Sequence, residues 1–307
     1  MYEEYYGFSK KPFSKTPDPE FLYLSKTHEE ALARLQYAVE EKEIVLLTGE
    51  IGSGKTTITR ALMDSLDDTR YRVVFILNPR LTPMQFLKLL LKRLDIEDIP
   101  SNRQELTEAL YERIYSFHTS GITPVIIVDE AQLISDRRVF EEMRLLSNFQ
   151  LDKENLISIV LVAQSDIKKK IRKKVYLPLR QRIGLYYHIG PLTEEEVKEY
   201  INFRLMKAGR TEPLFTDDAI KSIYFYSGGI PRVINNIANA SLLEAMGRDV
   251  SIIDKDIVEA AAMELELTEG NRATVRSTDC RPAPTADGKV YPVASPSICS
   301  GCGTLLH

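Results

Sequence analysis

Short apolar runs alternate with amphipathic segments along the chain up to residue 190. Five runs have the length of a strand and contain mostly apolar residues: "EIVLLT" (43–48), "YRVVFIL" (71–77), "PVIIVD" (124–129), "LISIVLVA" (156–163) and "LYYHIG" (185–190). Helix-like segments lie between them, at 56–68, 83–95, 103–119, 137–150 and 166–174. Near-continuous apolar strands that alternate with helices are typical of a parallel sheet covered on both faces. The pattern predicts an α/β domain, residues 1–191, built on a parallel five-stranded sheet.

Beyond this domain the periodicity is helical only. Thr193 and Glu196 lie in "TEEE" with the spacing of a capping box, which predicts that a helix begins at residue 194. Helices are predicted at 194–208, 217–227, 231–247 and 255–267. We therefore predict that residues 192–267 form a small helical domain, a C-terminal lid on the α/β domain.

The composition of the chain changes after residue 267. Residues 268–307 are rich in Pro, Ser, Thr, Gly and Ala and contain few large apolar side chains. A segment of this composition buries little surface on folding. We predict that it is a flexible tail.

Composition and charge narrow the class of protein. Hydrophobic residues make up 44% of the chain and charged residues 27%, the balance of a globular protein. No apolar run approaches the ~20 residues of a membrane helix, and the N-terminus has no apolar core of a signal peptide. We therefore expect a cytoplasmic protein without a membrane partner. The net charge of −4 argues against a chain coated in nucleic acid but is compatible with a local basic surface.

The stretch "GEIGSGKTT" (49–57) has the full pattern of a phosphate-binding P-loop, Gly-x4-Gly-Lys-Thr. The backbone amides of such a loop surround the β-phosphate at the positive end of the following helix. Lys55 is predicted to reach the β- and γ-phosphates, and the Thr56 hydroxyl to ligate Mg²⁺. The predicted nucleotide-binding residues are Gly49, Glu50, Ile51, Gly52, Ser53, Gly54, Lys55, Thr56 and Thr57.

A second motif, Asp129-Glu130, ends the apolar run "PVIIV". A strand that ends in these residues is common and is usually only a solvated strand end, but together with a P-loop it predicts a hydrolytic site. Asp129 is predicted to hold Mg²⁺ through water, and Glu130 to orient and deprotonate the attacking water. The sequence contains no guanine-reading Asn/Thr-Lys-x-Asp, which argues against a small GTPase. We predict an ATPase that converts ATP and water to ADP and phosphate.

With these motifs the chain resembles AAA+ ATPases, and within them the ExeA-like group, which is related to transposition ATPases of the TniB and TnsC kind. The resemblance covers roughly residues 1–267. Besides the P-loop, it rests on "YYGFSKKPFSKTPDPEFLYLSKTHEEAL", "VIIVDEAQ", "LPLRQRI" and "SGGIPRVINNIANASLLEA". It implies a P-loop NTPase fold with a helical lid, with ATP and Mg²⁺ as cofactors.

The resemblance also implies roles for single residues. Gln164, at the end of the fourth strand, takes the place of sensor 1, which contacts the γ-phosphate or the attacking water. Arg232, in "GGIPR", takes the place of sensor 2, a lid arginine that reaches the γ-phosphate; a surface salt bridge is the alternative. Asn78 is in the place of a residue that holds the catalytic Glu130 inactive, or it is a turn residue before Pro79.

Two further roles follow from the same resemblance. "LPLRQRI" is at the place of the arginine finger, which reaches the nucleotide of a neighbouring subunit. We prefer Arg182 for this role and keep Arg180 second. His28 lies where the family packs residues near adenine; alternatively it is an ordinary surface or core residue. A finger that acts in trans implies a homo-oligomer, a ring or filament of about six or seven subunits per turn.

The segment from 167 to 182 is basic and contains no acidic residue. Its cations are Lys168, Lys169, Lys170, Arg172, Lys173, Lys174, Arg180 and Arg182. Three interpretations stay open: contact with the phosphate backbone of double-stranded DNA, a subunit interface, and a solvated helix face.

Two functions from different classes are compatible with these features. In the first, ATP-bound oligomers associate with double-stranded DNA and regulate a partner such as a transposase or target selector. In the second, the protein serves secretion or pilus assembly, as some ExeA-like proteins do. The membrane-bound members of that kind carry a transmembrane helix and a peptidoglycan-binding domain, and we predict neither from this sequence, which favours the first function. A non-enzymatic binding module is a third class, and the intact Lys55, Asp129 and Glu130 argue against it.

The three cysteines all lie in the predicted tail, and "CSGCG" (299–303) has the form of half a zinc ribbon. A tetrahedral zinc site needs four ligands. Cys280, Cys299, Cys302 and His307 supply four candidates, whereas the absence of a second CxxC favours incidental cysteines in a flexible tail.

Overall fold

The structure, a computed structural model, describes residues 2–14, 19–151 and 154–267 of the 307-residue chain. Its strands are β1 (Ile44–Gly49), β2 (Tyr71–Ile76), β3 (Thr123–Val128), β4 (Gln150–Leu151), β5 (Glu154–Asn155), β6 (Ser158–Gln164) and β7 (Ile183–Ile189). Five of them pair in parallel into one sheet, in the order β2-β3-β6-β1-β7. The short strands β4 and β5 pair with each other, antiparallel.

The predicted parallel five-stranded sheet is confirmed, and its burial explains the apolar runs. Strands β1, β3 and β6 are buried along almost their whole length, because apolar clusters cover both faces of the sheet. Side chains alternate between the faces, so Leu46 belongs to one apolar cluster and Leu47 to the other. The register pairs Gly49 with Gln164, the last residues of β1 and β6. The carboxyl ends of these strands therefore meet at one edge, where α/β sheets bind ligands.

Helices cover this sheet on both faces. The helices up to β7 are α1 (Tyr2–Tyr6), α2 (Lys26–Glu40), α3 (Lys55–Ser65), α4 (Pro83–Arg93), α5 (Arg103–Thr119), α6 (Arg137–Leu146), α7 (Ile167–Ile171) and α8 (Leu177–Arg182). Helices α2 and α3 contribute side chains such as Leu35 and Ile58 to one apolar cluster. Helices α4, α5 and α6 contribute Leu90, Leu110 and Phe140 to the other.

Several predicted helices end earlier in the structure, and three helices, α1, α2 and α8, are unpredicted. The helix predicted at 137–150 ends at Leu146, because the chain turns there and enters β4. The helix predicted at 166–174 ends at Ile171, before a 3-10 turn. The pattern does not predict α2, whose buried face includes the small residues Ala31 and Ala38.

The region after β7 is helical, as predicted. It contains α9 (Glu194–Lys207), α10 (Asp217–Ser227), α11 (Pro231–Gly247) and α12 (Lys255–Glu264). The predicted capping box is present: the Thr193 hydroxyl accepts from the Glu196 amide at 3.2 Å, and the Glu196 carboxylate accepts from the Thr193 amide at 2.9 Å. We call α9–α12 the lid helices.

The N-terminal segment, residues 2–14, packs into the apolar cluster of the lid helices. Tyr2, Tyr6, Phe8 and Phe13 are buried in that cluster. The hydroxyl of Tyr6 donates to the carbonyl oxygen of Leu242 in α11 at 3.2 Å. The sequence pattern places this segment in the α/β domain, residues 1–191. In the structure, its apolar side chains are part of the core of the lid helices.

A buried arginine connects the same segment to α9. Arg204 is 7% exposed. Its Nε donates to the carbonyl oxygen of Pro12 at 2.5 Å, and its Nη1 donates to the hydroxyl of Tyr200 at 3.0 Å. The guanidinium also lies 5.0 Å from the ring centroid of Phe21, within range of a cation–π interaction. These contacts fix the N-terminal segment to the lid helices.

Two further sequence predictions concern membrane-spanning helices and a zinc site. No helix in the described ranges is both long enough and apolar enough to cross a membrane. The candidate zinc ligands Cys280, Cys299, Cys302 and His307 lie outside the described residues.

Candidate active site

The P-loop connects β1 to α3 and depends on two glycines. Gly52 and Gly54 have φ angles of 82° and 95°, in the left-handed region that glycine adopts without strain. A Cβ at Gly52 would lie 2.5 Å from the Cβ of Arg232, and one at Gly54 would lie 2.7 Å from Nε2 of His28. Both positions therefore require glycine for backbone conformation and for space.

Lys55 is the first residue of α3 and points back into the loop. Its Nζ donates to the carbonyl oxygens of Gly49 at 2.9 Å and Glu50 at 2.8 Å. The residue is only 7% exposed. Burial lowers the pKa of Lys55, while the nearby carboxylates of Glu130 and Asp129 act in the opposite direction. A desolvated cation at a helix N-terminus favours an anionic ligand such as a phosphate.

Thr56 and Asp129 bring the P-loop and the end of β3 into contact. The Thr56 hydroxyl donates to Oδ2 of Asp129 at 3.4 Å, and the amide of Glu130 donates to Oδ1 of Asp129 at 2.8 Å. Asp129 is 2% exposed, and burial raises the pKa of its carboxyl group. A hydroxyl and a carboxylate held side by side are oxygen ligands that suit Mg²⁺.

Glu130 follows Asp129 in a left-handed backbone conformation, with φ 52° and ψ 38°. Its Oε2 accepts hydrogen bonds from the side-chain amides of Gln132 and of Gln164, the latter at 3.2 Å. Gln164 therefore lies against the predicted catalytic glutamate, at the end of β6. Gln132 is not among the residues predicted from the sequence, where its only signal is its place two residues after Glu130 in "DEAQ".

Asn78 makes a local contact. Its Oδ1 accepts from the amide of Arg80 at 3.4 Å, across the turn that contains Pro79, and the side chain is exposed. The hydrogen bonds of the Glu130 carboxylate among the described residues go to Gln132 and Gln164 instead. The pairing of Asn78 with Glu130 stays a prediction.

Arg232 lies directly on the P-loop. Pro231 and Arg232 begin α11, where proline is favoured because the first amides of a helix have no intrahelical acceptor. The amide of Arg232 donates to the carbonyl oxygen of Gly52 at 3.3 Å. The turn before α11 is held by the amide of Leu192, which donates to the carbonyl oxygen of Gly229 at 2.8 Å. The lid helices thereby contact the phosphate-binding loop.

His28 packs behind the P-loop and is 4% exposed. Its Nε2 lies 3.0 Å from the carbonyl oxygen of Ser53, and its Nδ1 lies 2.7 Å from the hydroxyl of Ser25. Because a carbonyl oxygen only accepts, Nε2 carries the proton and Nδ1 accepts from Ser25. Burial lowers the pKa of His28, which favours this neutral form.

Arg180 and Arg182 lie in α8, away from the cavity at the P-loop. Both are exposed. Nη1 of Arg180 donates to the carbonyl oxygen of Arg172 at 3.5 Å. Within the part of the chain that the structure describes, Arg182 forms no ion pair or side-chain hydrogen bond.

A cavity of about 480 Å³ lies between the P-loop and the lid helices, a volume typical of small-molecule sites. Its lining includes His28, Gly52, Gly54, Lys55, Thr56, Thr57, Glu130, Gln164, Arg204, Pro231, Arg232 and Asn235. The buried hydroxyl of Ser53, in the loop, has no hydrogen-bond partner among the described residues. Cations, loop amides and a hydroxyl–carboxylate pair at one cavity fit a nucleoside triphosphate with Mg²⁺.

Residues 38–171 match the family model described as an AAA domain. The chain is 36% identical over 267 residues to general secretion pathway protein A of Aeromonas hydrophila, an alignment that covers 86% of this chain and 48% of that protein. The chain therefore spans about half the length of this curated relative.

Two solved structures have a similar fold. The Aeropyrum pernix ORC2 protein, in its ADPNP-ADP complexes, superposes with a TM-score of 0.60 at 17% identity and covers 84% of this chain and 72% of its own. Drosophila ORC bound to DNA gives a TM-score of 0.61 at 17% identity, with 87% of this chain and 67% of that chain covered. At this identity the likeness extends to the fold alone.

Proposed function

Because the chain is an AAA+ protein of the ExeA-like group, we propose that it binds ATP with Mg²⁺ and hydrolyses it to ADP and phosphate. The observation that carries the proposal is the hydrogen bond from Thr56 to Asp129, at 3.4 Å. This hydrogen bond joins the phosphate-binding loop to the end of β3. Two candidate ligands of a metal ion, the Thr56 hydroxyl and the Asp129 carboxylate, therefore lie next to Lys55 and Glu130. A P-loop that served only as a glycine-rich turn would not require this partner.

The P-loop amides, the N-terminus of α3 and Lys55 bind the phosphates in this mechanism. Thr56 and, through water, Asp129 would hold Mg²⁺, which would supply positive charge that offsets the phosphate charge. Arg232 adds a second cation from the lid side of the cavity, beside Gly52. These groups stabilise the charge that moves onto the leaving oxygen, which is the main catalytic contribution in phosphoryl transfer.

Glu130 is the general base and Gln164 orients it. Glu130 lines the cavity, and its Oε2 accepts from the side-chain amide of Gln164 at 3.2 Å. The carboxylate takes a proton from the attacking water as the water oxygen bonds to the γ-phosphorus and the bond to the β-phosphate oxygen breaks.

We propose that the chain works as an oligomer, with Arg182 as a finger in the nucleotide site of a neighbouring subunit. Arg182 is exposed and lies outside the cavity of its own chain. Its lack of a polar partner among the described residues leaves the guanidinium available to a phosphate across an interface.

The proposed task is the regulation of a partner by ATP-bound oligomers on double-stranded DNA, as in transposition. The exposed cations of the segment after β6, including Lys169, Lys173 and Lys174, support it, because phosphate backbones bind such clusters. The second candidate is a role in secretion or pilus assembly, which the 36% identity to general secretion pathway protein A favours.

Two measurements test the proposal. Glu130→Gln is expected to bind ATP and to hydrolyse it ~10²–10⁴-fold more slowly, because the general base is lost, whereas Lys55→Ala is expected to lose affinity for ATP. Full turnover by Glu130→Gln contradicts the hydrolytic mechanism.

Negative-stain images with ATP, with and without duplex DNA, separate the two tasks. Assemblies that form only with DNA favour the regulation of a partner on DNA, and assemblies that form equally without DNA favour the role in secretion or pilus assembly.

A further inference from the structure

Gln132 uses both ends of its side-chain amide. Its Nε2 donates to Oε2 of Glu130, and its Oε1 accepts from the backbone amide of Gln164 at 3.0 Å. The side chain is half-buried between the ends of β3 and β6. An amide satisfied at both ends has one preferred orientation, and it fixes the groups that it joins.

The Glu130 carboxylate is held asymmetrically. Gln132 and Gln164 both donate to Oε2, while Oε1 has no hydrogen bond among the described residues. Glu130 lines the nucleotide cavity, whereas Gln132 does not. One carboxylate oxygen is therefore anchored by the protein, and the other is left to accept a proton from water.

Lys170 holds the turn that carries Gln132. This turn, Ala131–Leu133, is a single 3-10 turn directly after Glu130. The Nζ of Lys170, in α7, donates to the carbonyl oxygen of Gln132 at 3.3 Å and to that of Ile134. Lys170 also lies 5.4 Å from the ring centroid of Phe140. Burial lowers the pKa of Lys170, unlike a cation on a fully solvated helix face.

We infer that Gln132 is a positioning residue for the general base, and that Lys170 connects this residue to the basic helix α7. The inference rests on the proposed role of Glu130. Lys170 then differs in role from its neighbours: it is a structural cation beneath the site, while the exposed Lys169, which pairs with Asp166 at 3.4 Å, belongs to the outer surface. A ligand that shifts α7 would move Gln132 and with it the Glu130 carboxylate.

The physical reason is geometric. A base that takes a proton from water must be held at hydrogen-bond distance in one orientation, and a misplacement of about 1 Å costs roughly 10²-fold in rate. Glu130 needs this support because its left-handed backbone lies on a short turn at the end of β3. Two amide donors on one carboxylate oxygen restrict rotation of the side chain.

The test compares Gln132→Met with the wild type. Methionine keeps the length of the side chain and removes both polar ends. We expect kcat to fall about 10- to 100-fold, with the KM for ATP, the Kd for ATP and the melting temperature close to the wild-type values. A merely structural role would change the melting temperature and the Kd together.

The double variant Glu130→Gln with Gln132→Met separates this inference from the proposed function. If Gln132 acts through Glu130, the double variant hydrolyses ATP no more slowly than Glu130→Gln alone, because residues that act as a unit are not additive. An active wild type with an inactive Glu130→Gln upholds the function. Wild-type kcat in Gln132→Met, or additive losses in the double variant, overturn the positioning role.

The link to α7 has its own matched pair of variants. Lys170→Met is expected to lower kcat about tenfold, the loss of roughly one charge-assisted contact. Lys221→Met, at an exposed lysine of α10 that pairs with Asp218 at 3.1 Å, is expected to leave kcat unchanged. Equal effects of the two substitutions refute the link between Lys170 and the general base.

Discussion

Arg232, in the lid helices, is in direct contact with Gly52, in the phosphate-binding loop. The amide of Arg232 donates to the carbonyl oxygen of Gly52 at 3.3 Å. A Cβ added at Gly52 would lie 2.5 Å from the Cβ of Arg232, closer than any two carbon atoms pack without a bond. Any change that pushes the loop away from α11 therefore also moves the lid cation away from the nucleotide cavity.

The substitution Gly52→Ala tests this contact. We expect it to weaken ATP binding by tenfold or more, a loss of about 1.4 kcal/mol, because alanine is strained at a φ of 82° and its Cβ displaces Arg232. Fluorescence titration with an ATP analogue measures the Kd. Gly121→Ala is the control, because Gly121 has a φ of 72° and open space around it. It is expected to cost about 1 kcal/mol of stability from the backbone alone and to keep the ATP affinity, and equal losses of affinity in both variants would refute the contact.

The sheet and its carboxyl edge could be predicted from sequence because their physical signal is local. A strand buried on both faces must be apolar along its length, as "VIIV" in β3 is, and the polar residue after it then lies at the edge of the sheet. The same rule places Gln164 at the end of β6. The sequence motifs therefore place Lys55 and Asp129 at this edge, whereas the role of Gln164 was implied by the resemblance to AAA+ ATPases.

The remaining contacts depend on tertiary structure that no local pattern specifies. Gln132 contacts Glu130 because the backbone of Glu130 is left-handed, and a glutamic acid rarely adopts that conformation. His28 reaches the P-loop from α2, a helix that was not among those predicted. The packing of Tyr6 on Leu242 joins residues separated by 236 positions in the chain.

Arg182 is predicted to act between subunits. Arg182→Ala is expected to lower ATP turnover by about 10³-fold or more, the usual contribution of an arginine finger, while Kd for ATP stays near the wild-type value. Arg180→Ala is the matched control, because the guanidinium of Arg180 lies near the carbonyl oxygen of Arg172. This variant is expected to have the smaller effect.

A mixing experiment tests whether Arg182 acts in trans. Subunits with Arg182→Ala keep an intact P-loop, and subunits with Lys55→Ala keep an intact finger. Mixed oligomers are expected to regain part of the ATPase activity at interfaces that combine one of each. Absence of recovery, when light scattering shows that the two variants co-assemble, contradicts action in trans.

Arg204 is predicted to stabilise the fold by holding the N-terminal segment on α9. Arg204→Met removes the hydrogen bonds to the Pro12 carbonyl and the Tyr200 hydroxyl, and a loss of about 2–3 kcal/mol in the free energy of unfolding is expected. Urea unfolding followed by circular dichroism measures it. Lys207→Met is the control, since Lys207 is exposed on the same helix and is expected to change stability by about 0.5 kcal/mol at most. Equal stability of the two variants would show that the buried contacts contribute little.

His28 is predicted to make the stability of the protein depend on pH. Because burial lowers its pKa in the folded state, the unfolded state binds more protons below the unfolded value of about 6.5. The stabilisation is therefore complete above that pH and is lost as the pH falls through the folded pKa. His188, in β7, has a pKa lowered in the same direction by burial and by Lys168, so it adds to the same trend.

Comparison of His28→Gln with the wild type isolates the contribution of His28. Glutamine keeps a donor near the position of Nε2, within reach of the Ser53 carbonyl, and does not titrate. We expect the free energy of unfolding of the wild type to fall between pH 7.5 and 5.5, by up to about 1.4 kcal/mol per pH unit, and that of His28→Gln to fall less. His188→Gln serves as the second arm, because Nδ1 of His188 lies 3.1 Å from the Thr48 hydroxyl, whereas the ring nitrogens of His28 contact Ser25 and Ser53. Identical pH dependence in the wild type and His28→Gln would mean that His28 takes up a proton as readily in the folded protein as in the unfolded one. That result would contradict the neutral imidazole assigned to His28.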